Sequence, residues 1–140
     1  MASGLEHLHS LNVHHLDIKP ENVLLDRSHR HAVLSDFGLS RRTSALSEAS
    51  PVGGSQRYMA PEVMFERFAY ASDVYSFALL MWTLAYGRLC FAEYTAPQVI
   101  FFLQSNPATF RPALSAPPTL DLSTVAEVPE HIWEPIKELI

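Results

Sequence analysis

The 140-residue sequence has one cysteine, few basic residues and no long apolar run. The single cysteine, Cys90, excludes a disulfide framework within the chain and suits a reducing compartment. The sequence has ten Lys and Arg residues and fifteen Asp and Glu residues. The resulting formal net charge of -5 argues against a nucleic-acid-binding surface. The longest apolar region, residues 74–86, is shorter than the roughly 20 residues that span a bilayer, and no signal-peptide core stands at the N-terminus. We therefore predict a soluble cytoplasmic protein with no nucleic-acid partner and no membrane segment.

The composition indicates a globular domain. Apolar residues make up 48% of the sequence and charged residues 18%, a balance that allows a packed core and disfavours disorder. The length suits one domain, which we assign to residues 1–140. Leu5, Leu8 and Leu11 recur at helical spacing and predict a helix at the start of the chain, without a clear cap.

Two short β-type runs lie in the first part of the chain, at residues 23–25 and 32–34. A polar, turn-like segment at residues 26–30 separates them, so we predict a small hairpin. Residues 41–55 are rich in Ser, Thr, Ala and Gly and are predicted to form a long loop. Loops of this length in compact domains are commonly functional.

A strongly apolar segment follows this loop and predicts a buried helix. Ser72 or Asp73 is the expected N-cap, Tyr86 the expected last residue and Gly87 the natural stop. The run VYSFALLMWTLAY is apolar on nearly all faces, which is typical of a helix inside the core and not of one on the surface.

The remainder of the chain is predicted to hold two further helices joined by a proline-rich connector. The first covers residues 95–105, with Pro97 in its first turn, where a missing N–H costs little. Residues 106–129 contain five prolines and are predicted to connect elements and not to pack. The second helix covers residues 131–140 or begins at Pro135 within that range.

The segment D-I-K-P-E-N places an acid, a base and an amide within one short polar loop. Asp17 is suited to accept a proton from a substrate hydroxyl. Lys19 is suited to neutralise charge on a transferring phosphoryl group, and the amide oxygen of Asn22 is a ligand for a hard cation such as Mg²⁺.

Two further motifs follow the polar loop. Asp36, Phe37 and Gly38 come directly after the second β-type run, where an acid, an apolar anchor and a flexible glycine suit a metal ligand that is held and also moved. The tripeptide A-P-E at residues 60–62 closes the long loop. Each motif alone occurs by chance in many proteins, but in this order and spacing they match the protein-kinase template.

On these motifs and on the phrase SDVYSF at residues 72–77, the chain resembles the C-terminal lobe of a eukaryotic protein kinase, nearest to the Ser/Thr kinases of the tyrosine-kinase-like group. The resemblance spans essentially the whole chain. It implies a fold that is mainly α with a small β-hairpin, a kinase-like C-lobe truncated at both ends. The implied activity is ATP-dependent phosphoryl transfer to Ser/Thr hydroxyls of a protein substrate, with Mg²⁺ and ATP as cofactors.

The resemblance assigns catalytic and metal-binding roles to four residues. Asp17 is the base that orients the substrate hydroxyl, and Lys19 contacts the γ-phosphate of ATP. Asn22 and Asp36 hold the Mg²⁺ that is bound to ATP. Lys19 also favours Ser/Thr substrates, because tyrosine kinases of the family usually carry a different loop.

Three more residues match positions that contact ATP or the substrate. Leu24, two residues after Asn22, matches the position that floors the adenine pocket. Ser35 lies just before the Asp-Phe-Gly motif. Ser55 matches the substrate-loop position near the catalytic Asp and Lys where Ser/Thr kinases usually carry threonine.

Five residues have structural roles by the same resemblance. His15 matches the histidine that packs near Phe37, and Gly38 completes that motif. Glu62 matches an acid whose usual partner is an arginine near the family's C-terminus. Asp73 matches the residue that braces the catalytic loop through backbone hydrogen bonds.

The sequence lacks the family's ATP-anchoring features. No three of its five glycines fit the Gly-rich loop, and neither Lys19 nor Lys137 lies in a V-A-I-K-type strand. The chain also ends before the arginine that pairs with Glu62. We therefore expect a fragment, a truncated gene model or a degenerate copy with little activity alone, whose surface toward the missing lobe is free to bind a partner. The alternative is a non-catalytic, pseudokinase-like binding or scaffold module.

Leu16 departs from the family pattern beside the catalytic acid. The family usually has an arginine here, which pairs with a phosphate on the activation loop. Leucine cannot make this pair, so phosphorylation of Thr43, Ser44, Ser47 or Ser50 is not expected to order the loop through Leu16.

Histidines are frequent near the N-terminus, which raises the alternative of a zinc site. The sequence has no cysteine pair and no H-E-x-x-H motif, and His15 matches a structural position of the family. We therefore expect no zinc site.

Overall fold

The computed structural model describes residues 1–28, 30–48 and 55–106 of the chain. These residues form a mixed α/β arrangement of helices and small antiparallel sheets. The predicted connector beyond residue 106 and the predicted helix at residues 131–140 lie outside the described residues. The helices are α1 (Ala2–Ser10), α2 (Tyr70–Tyr86) and α3 (Ala96–Ser105); the strands are β1 (Val13–His14), β2 (Val23–Leu25), β3 (Ala32–Leu34) and β4 (Arg41–Arg42); and 3₁₀ turns cover Pro20–Asn22, Thr43–Glu48 and Pro61–Phe65.

The predicted N-terminal helix is confirmed as α1. Its buried residue, Leu5, packs with Ile18 and Leu80 in an apolar cluster. No side chain caps the start of the helix, in agreement with the sequence. Because Ile18 belongs to the polar loop and Leu80 to α2, this cluster fixes the loop between two helices.

The predicted hairpin is also confirmed, as β2 paired antiparallel with β3. Val23 lies opposite Leu34, and both pack against the apolar cluster around Leu5. Leu24 lies opposite Val33, and these side chains are exposed because alternate residues of a strand point to opposite faces.

A second sheet, of β1 and β4, was not predicted. Val13 pairs with Arg42 and His14 with Arg41. The prediction of one long loop was therefore wrong for residues 41–48, which hold β4 and the turn Thr43–Glu48. Strands of two residues carry no measurable alternation, so only the tertiary pairing reveals them.

The buried helix is confirmed as α2, with its end at Tyr86 and Gly87 as the C-cap, but the predicted start was wrong. The helix begins at Tyr70, with Ala69 as the N-cap. Ser72 lies one turn inside, and its Oγ accepts a hydrogen bond from the Ala69 N–H at 3.2 Å. A serine at this third position satisfies a helix-end N–H as a capping side chain does, which explains why the sequence alone misplaced the boundary.

The centre of the core lies along α2. Leu79, Trp82 and Tyr86 pack with Val99 and Leu103 of α3. Leu80 is fully buried against α1 and the polar loop. The expectation of burial on nearly all faces is correct for most of the helix, since α2 contacts elements on opposite sides.

The third helix agrees closely with its prediction. It covers Ala96–Ser105, with Thr95 as the N-cap and proline in the first turn. The Gln98 side chain accepts a hydrogen bond from the Thr95 N–H at 2.9 Å, which satisfies a donor at the helix start.

Gly87 allows a test of how α2 ends. Its φ of 60° is left-handed, a conformation that costs an L-residue about 1 kcal/mol. Gly87→Ala is therefore expected to lower the free energy of unfolding by about 1 kcal/mol, measured by urea denaturation. Gly4→Ala is the matched control, because Gly4 lies within α1 with nothing near its added Cβ. That change should stabilise the protein, and a loss at Gly4 equal to that at Gly87 would contradict the assignment.

Candidate active site

The polar loop between β1 and β2 holds the first group of candidate site residues. Pro20 begins the 3₁₀ turn Pro20–Asn22, where its missing N–H costs nothing and its fixed φ suits the first helical position. The Asn22 N–H closes this turn on the Lys19 carbonyl at 3.1 Å. The turn therefore folds Asn22 back toward Asp17.

Asp17 is nearly buried, and side-chain and backbone donors surround its carboxylate. Lys19 Nζ lies 2.7 Å and Asn22 Nδ2 2.9 Å from Asp17 Oδ2. The Ser55 N–H donates to Asp17 Oδ1 at 3.0 Å. The structure thus brings together Asp17, Lys19, Asn22 and Ser55, the last of which is 38 residues away along the chain.

These donors determine the charge state of Asp17. Burial raises its pKa, but the hydrogen bonds from Lys19, Ser55 and Asn22 together outweigh burial, so the pKa lies below its ordinary value. The carboxylate is therefore ionised at neutral pH. It can accept and orient a hydroxyl hydrogen bond at any pH near neutrality.

Asp73 joins α2 to the polar loop. Its carboxylate accepts hydrogen bonds from the backbone N–H groups of His15 and Leu16, each at 2.9 Å. His9 Nε2 of α1 lies 2.9 Å from the same carboxylate. Leu16 has a left-handed φ of 65°, a conformation that persists only where surrounding contacts hold it. The Asp73 contacts provide that constraint directly before Asp17.

Ser35 links the polar loop to the Asp-Phe-Gly segment. Its N–H and its hydroxyl both donate to the Asn22 carbonyl, at 2.8 and 3.0 Å. His15 Nε2 lies 3.2 Å from the Ser35 carbonyl, and the His15 ring is 5.2 Å from the Phe37 ring. Asp36 therefore follows a residue that is bonded to Asn22.

Asp36 and Asn22 have the chemistry of a magnesium site. Asp36 is exposed, and its Oδ1 accepts a hydrogen bond from the Gly38 N–H at 3.1 Å. Asn22 directs its amide nitrogen to Asp17, so its amide oxygen is the ligand that it offers. Mg²⁺ commonly binds through one or two protein oxygens, with water and substrate phosphates completing its shell. This pair of ligands fits that pattern.

The remaining predicted residues are Leu24, Phe37 and Glu62. Leu24 is on the exposed face of the hairpin, and Phe37 is also half-exposed. Glu62 accepts a hydrogen bond from the Ser72 hydroxyl at 2.8 Å, which joins the turn Pro61–Phe65 to the start of α2. The arginine partner implied by the resemblance stays a prediction.

A cavity of about 320 Å³ opens beside Ser55. It lies between the polar loop, which contributes Glu21, and the region between α2 and α3. Residues 55–58 form a second wall. Leu89 of the α2–α3 loop and Ala96, the first residue of α3, complete the lining.

Sequence reasoning missed a cluster that joins the β1 region, the turn Thr43–Glu48 and the start of α2. The ring of His14 stacks on that of Tyr70 at 4.4 Å, and His14 Nε2 lies 3.1 Å from the Thr43 hydroxyl. Tyr70 also donates to the Asn12 side chain at 3.0 Å. The sequence carries no signal for this cluster, because its members come from three separated segments.

The buried His14 allows a test of pH dependence. Burial lowers its pKa, and the nearby Asp73 charge, which raises it, does not offset that effect. Between the lowered folded value and the unfolded value of 6.5, the unfolded chain binds more protons, so stability falls as pH drops below about 6.5. His14→Phe keeps the ring stack and should flatten this dependence by up to about 1.4 kcal/mol per pH unit, measured by urea unfolding at pH 5 to 7.5.

The exposed His7 supplies the control for that experiment. His7→Phe should leave the slope of stability against pH as in the wild type, because His7 is exposed on α1. Equal slopes for the wild type and His14→Phe would refute the role of His14.

Comparison with known proteins identifies the family. The chain matches the protein kinase domain family over residues 1–139. It therefore belongs to the protein kinase domain family.

The relatives that the chain matches include proteins named as serine/threonine kinases and one named as a serine/threonine/tyrosine kinase. Serine/threonine-protein kinase ULK3 of Homo sapiens is 33% identical over 108 residues, which are 76% of this chain and 23% of that protein. Receptor-interacting serine/threonine-protein kinase 3 of Rattus norvegicus is 45% identical over 94 residues, 61% of this chain and 20% of that protein. Serine/threonine/tyrosine-protein kinase HT1 of Arabidopsis thaliana is 36% identical over 122 residues, 82% of this chain and 31% of that protein. The chain spans less than a third of the length of these relatives.

Two further observations bear on other classes of protein. Within the described ranges, no helix has the length and apolar character needed to cross a membrane. Among the same residues, no three His, Cys, Asp or Glu side chains are grouped so that they could hold a metal ion.

Proposed function

We propose that this chain is the C-terminal lobe of a Ser/Thr protein kinase of the tyrosine-kinase-like group. Combined with an ATP-binding lobe, it catalyses transfer of the γ-phosphoryl group of Mg·ATP to hydroxyls of a protein substrate. The observation that carries this proposal is the ionised, nearly buried carboxylate of Asp17, held by Lys19, Asn22 and the Ser55 N–H. The kinship with Ser/Thr kinases supports the same reaction.

Asp17 orients the acceptor hydroxyl. The donors around it lower its pKa, so it acts mainly by accepting a hydrogen bond and aligning the nucleophile, and it receives the proton as the new bond forms. Positioning of this kind is the main contribution of protein groups to phosphoryl transfer.

Lys19 neutralises charge on the transferred group. Its ammonium already contacts Asp17 at 2.7 Å, and the remaining N–H donors can reach a phosphate oxygen without releasing that contact. The ion pair therefore holds the cation beside the nucleophile, where charge develops during transfer.

Asn22 and Asp36 would hold the Mg²⁺ that ATP carries, and the metal would neutralise charge on the phosphates. Ser35, the residue directly before Asp36, supports this arrangement. Its N–H and its hydroxyl both donate to the backbone carbonyl of Asn22. Leu24, on the exposed face of the hairpin, provides the apolar floor for adenine.

Ser/Thr specificity and a cytoplasmic location complete the proposal. Lys19, which contacts Asp17 at 2.7 Å, and Ser55, whose N–H donates to Asp17 at 3.0 Å, stand at positions that resemble those of Ser/Thr kinases. The buried, reduced Cys90 suits a reducing compartment.

A test requires the chain with and without an ATP-binding lobe. The chain alone and a fusion that places the N-terminal lobe of a Ser/Thr kinase relative before Met1 are assayed with labelled Mg·ATP and a Ser/Thr peptide mixture. We expect transfer by the fusion and little or none by the chain alone. A correctly folded fusion that binds Mg·ATP but transfers nothing would argue against the proposal.

The second candidate is a non-catalytic binding module. It is favoured by the exposed apolar side chains of Leu24, Val33 and Phe37. In the same assay, this candidate predicts that the fusion remains inactive while the chain alone binds the isolated N-terminal lobe. Transfer by the fusion rules it out.

A further inference from the structure

Arg57 connects the segment after Ser55 to the loop between α2 and α3. Its Nη1 donates to the carbonyl of Cys90 at 3.0 Å and also to that of Phe91, and its Nη2 donates to the carbonyl of Tyr94 at 3.0 Å. One partly buried guanidinium thus bonds to several carbonyls of a single loop. The fixed fork of an arginine side chain suits such a set of acceptors, whereas the ammonium of lysine is a point donor.

The loop is shaped to receive this side chain. Phe91 has a left-handed φ of 53°, and the Tyr94 N–H closes a turn on the Phe91 carbonyl at 3.0 Å. This turn brings the acceptor carbonyls together on one side. In return, the thiol of Cys90 donates a weak hydrogen bond to the Arg57 carbonyl at 3.8 Å.

The opposite end of the same segment reaches the candidate active site. The Ser55 N–H donates to Asp17, and the Tyr58 N–H closes a turn on the Ser55 carbonyl at 2.8 Å. Ser76 of α2 donates to the Tyr58 carbonyl at 2.7 Å. Arg57 lies inside this turn, between the contact with Asp17 and the contact with α2.

We propose that Arg57 is a positioning residue: it clamps residues 55–58 to the α2–α3 loop, and so holds the Ser55 N–H on Asp17 and fixes one wall of the 320 Å³ cavity. The clamp itself is a statement about contacts in this chain. It rests on the proposed function only where Asp17 is taken as the group that orients the substrate.

The sole cysteine provides a probe of the clamp. Cys90 is fully buried beneath Arg57, and burial raises the pKa of its thiol to about 11. A thiol reagent therefore reacts with Cys90 only when the loop opens. In the full chain, Arg57→Lys should speed this reaction roughly 10- to 100-fold, since hydrogen bonds to a charged group are lost from the closed state.

Arg88→Lys is the matched control. Arg88 is exposed in the α2–α3 loop, just after the Gly87 cap, and its guanidinium lies 5.4 Å from the ring centroid of Trp82. The same substitution at this position should leave the labelling rate of Cys90 unchanged. Equal rates for Arg57→Lys and the wild type would overturn the clamp.

A second readout separates positioning from general stability. Amide hydrogen exchange at Ser55 should accelerate in Arg57→Lys, because the contact of the Ser55 N–H with Asp17 is no longer held. Unchanged exchange at Ser55, despite faster labelling of Cys90, would reduce Arg57 to a purely structural residue and overturn its positioning role.

Wild-type measurements cover the case in which Arg57→Lys does not fold. In low concentrations of denaturant, amide exchange at Ser55 and labelling of the Cys90 thiol should report one common opening reaction. The free energies of opening from the two probes should have the same dependence on denaturant. Opening of one without the other contradicts the clamp. These readouts need no catalysis. If Ser55 and Cys90 open together but the fusion transfers no phosphate, the proposed function is refuted and the clamp is not.

Discussion

Replacement of Asp73 with alanine is expected to lower the free energy of unfolding by about 3 kcal/mol. The change removes the acceptor of the His15 and Leu16 N–H groups and leaves these donors next to the core. It also releases the left-handed conformation of Leu16, which the Asp73 contacts hold. Urea denaturation of the two proteins at pH 7 measures the difference.

Asp26→Ala is the matched control for that prediction. The Asp26 carboxylate also accepts several hydrogen bonds, from Ser28, Arg30 and His31. It is exposed in the hairpin turn, where water replaces lost partners, so its removal should destabilise the protein far less than the removal of Asp73. Similar losses for the two variants would show that Asp73 does not have the bracing role assigned to it.

Asp17→Asn is expected to reduce phosphoryl transfer by the two-lobe fusion by roughly 10²- to 10⁴-fold. The amide cannot take the hydroxyl proton, and its NH₂ group competes with the donors that now surround the carboxylate. The KM for ATP should change little, because Asp17 orients the acceptor and does not hold the metal. Initial rates at saturating ATP and peptide measure the effect.

Glu6→Gln controls for the loss of a negative charge. Glu6 is exposed on α1, away from the polar loop, so the rate should match that of the wild type. An Asp17→Asn rate within a few-fold of the wild-type rate would refute the assignment of Asp17 as the orienting group.

Local patterns were sufficient for the elements with a clear period. The spacing of Leu5, Leu8 and Leu11 predicted α1, the apolar run predicted α2, and the paired β-type runs predicted the hairpin. Each of these elements is long enough, or bounded by a strong enough turn, for its own sequence to specify it. The strands β1 and β4 are too short for that, and they form only because the chain returns to pair them.

The candidate site divides in the same way. Asp17, Lys19 and Asn22 lie within six residues, so one motif reveals them together. The Ser55 contact with Asp17 spans 38 residues, and the Arg57 contacts span more than 30, so no local pattern reports their geometry. The predicted start of α2 was wrong for a related reason. The Ser72 hydroxyl accepts a hydrogen bond from the N–H of Ala69, three residues earlier, so Ser72 resembles an N-cap although it lies inside the helix.

The most direct measurement identifies the amino acid that receives labelled phosphate from the two-lobe fusion. A peptide mixture with equal amounts of Ser, Thr and Tyr acceptors is incubated with labelled Mg·ATP and hydrolysed, and the phosphoamino acids are separated. The account predicts label in phosphoserine and phosphothreonine, lost with Asp17→Asn and retained with Glu6→Gln. Label mainly in phosphotyrosine, or incorporation that persists with Asp17→Asn, would contradict it.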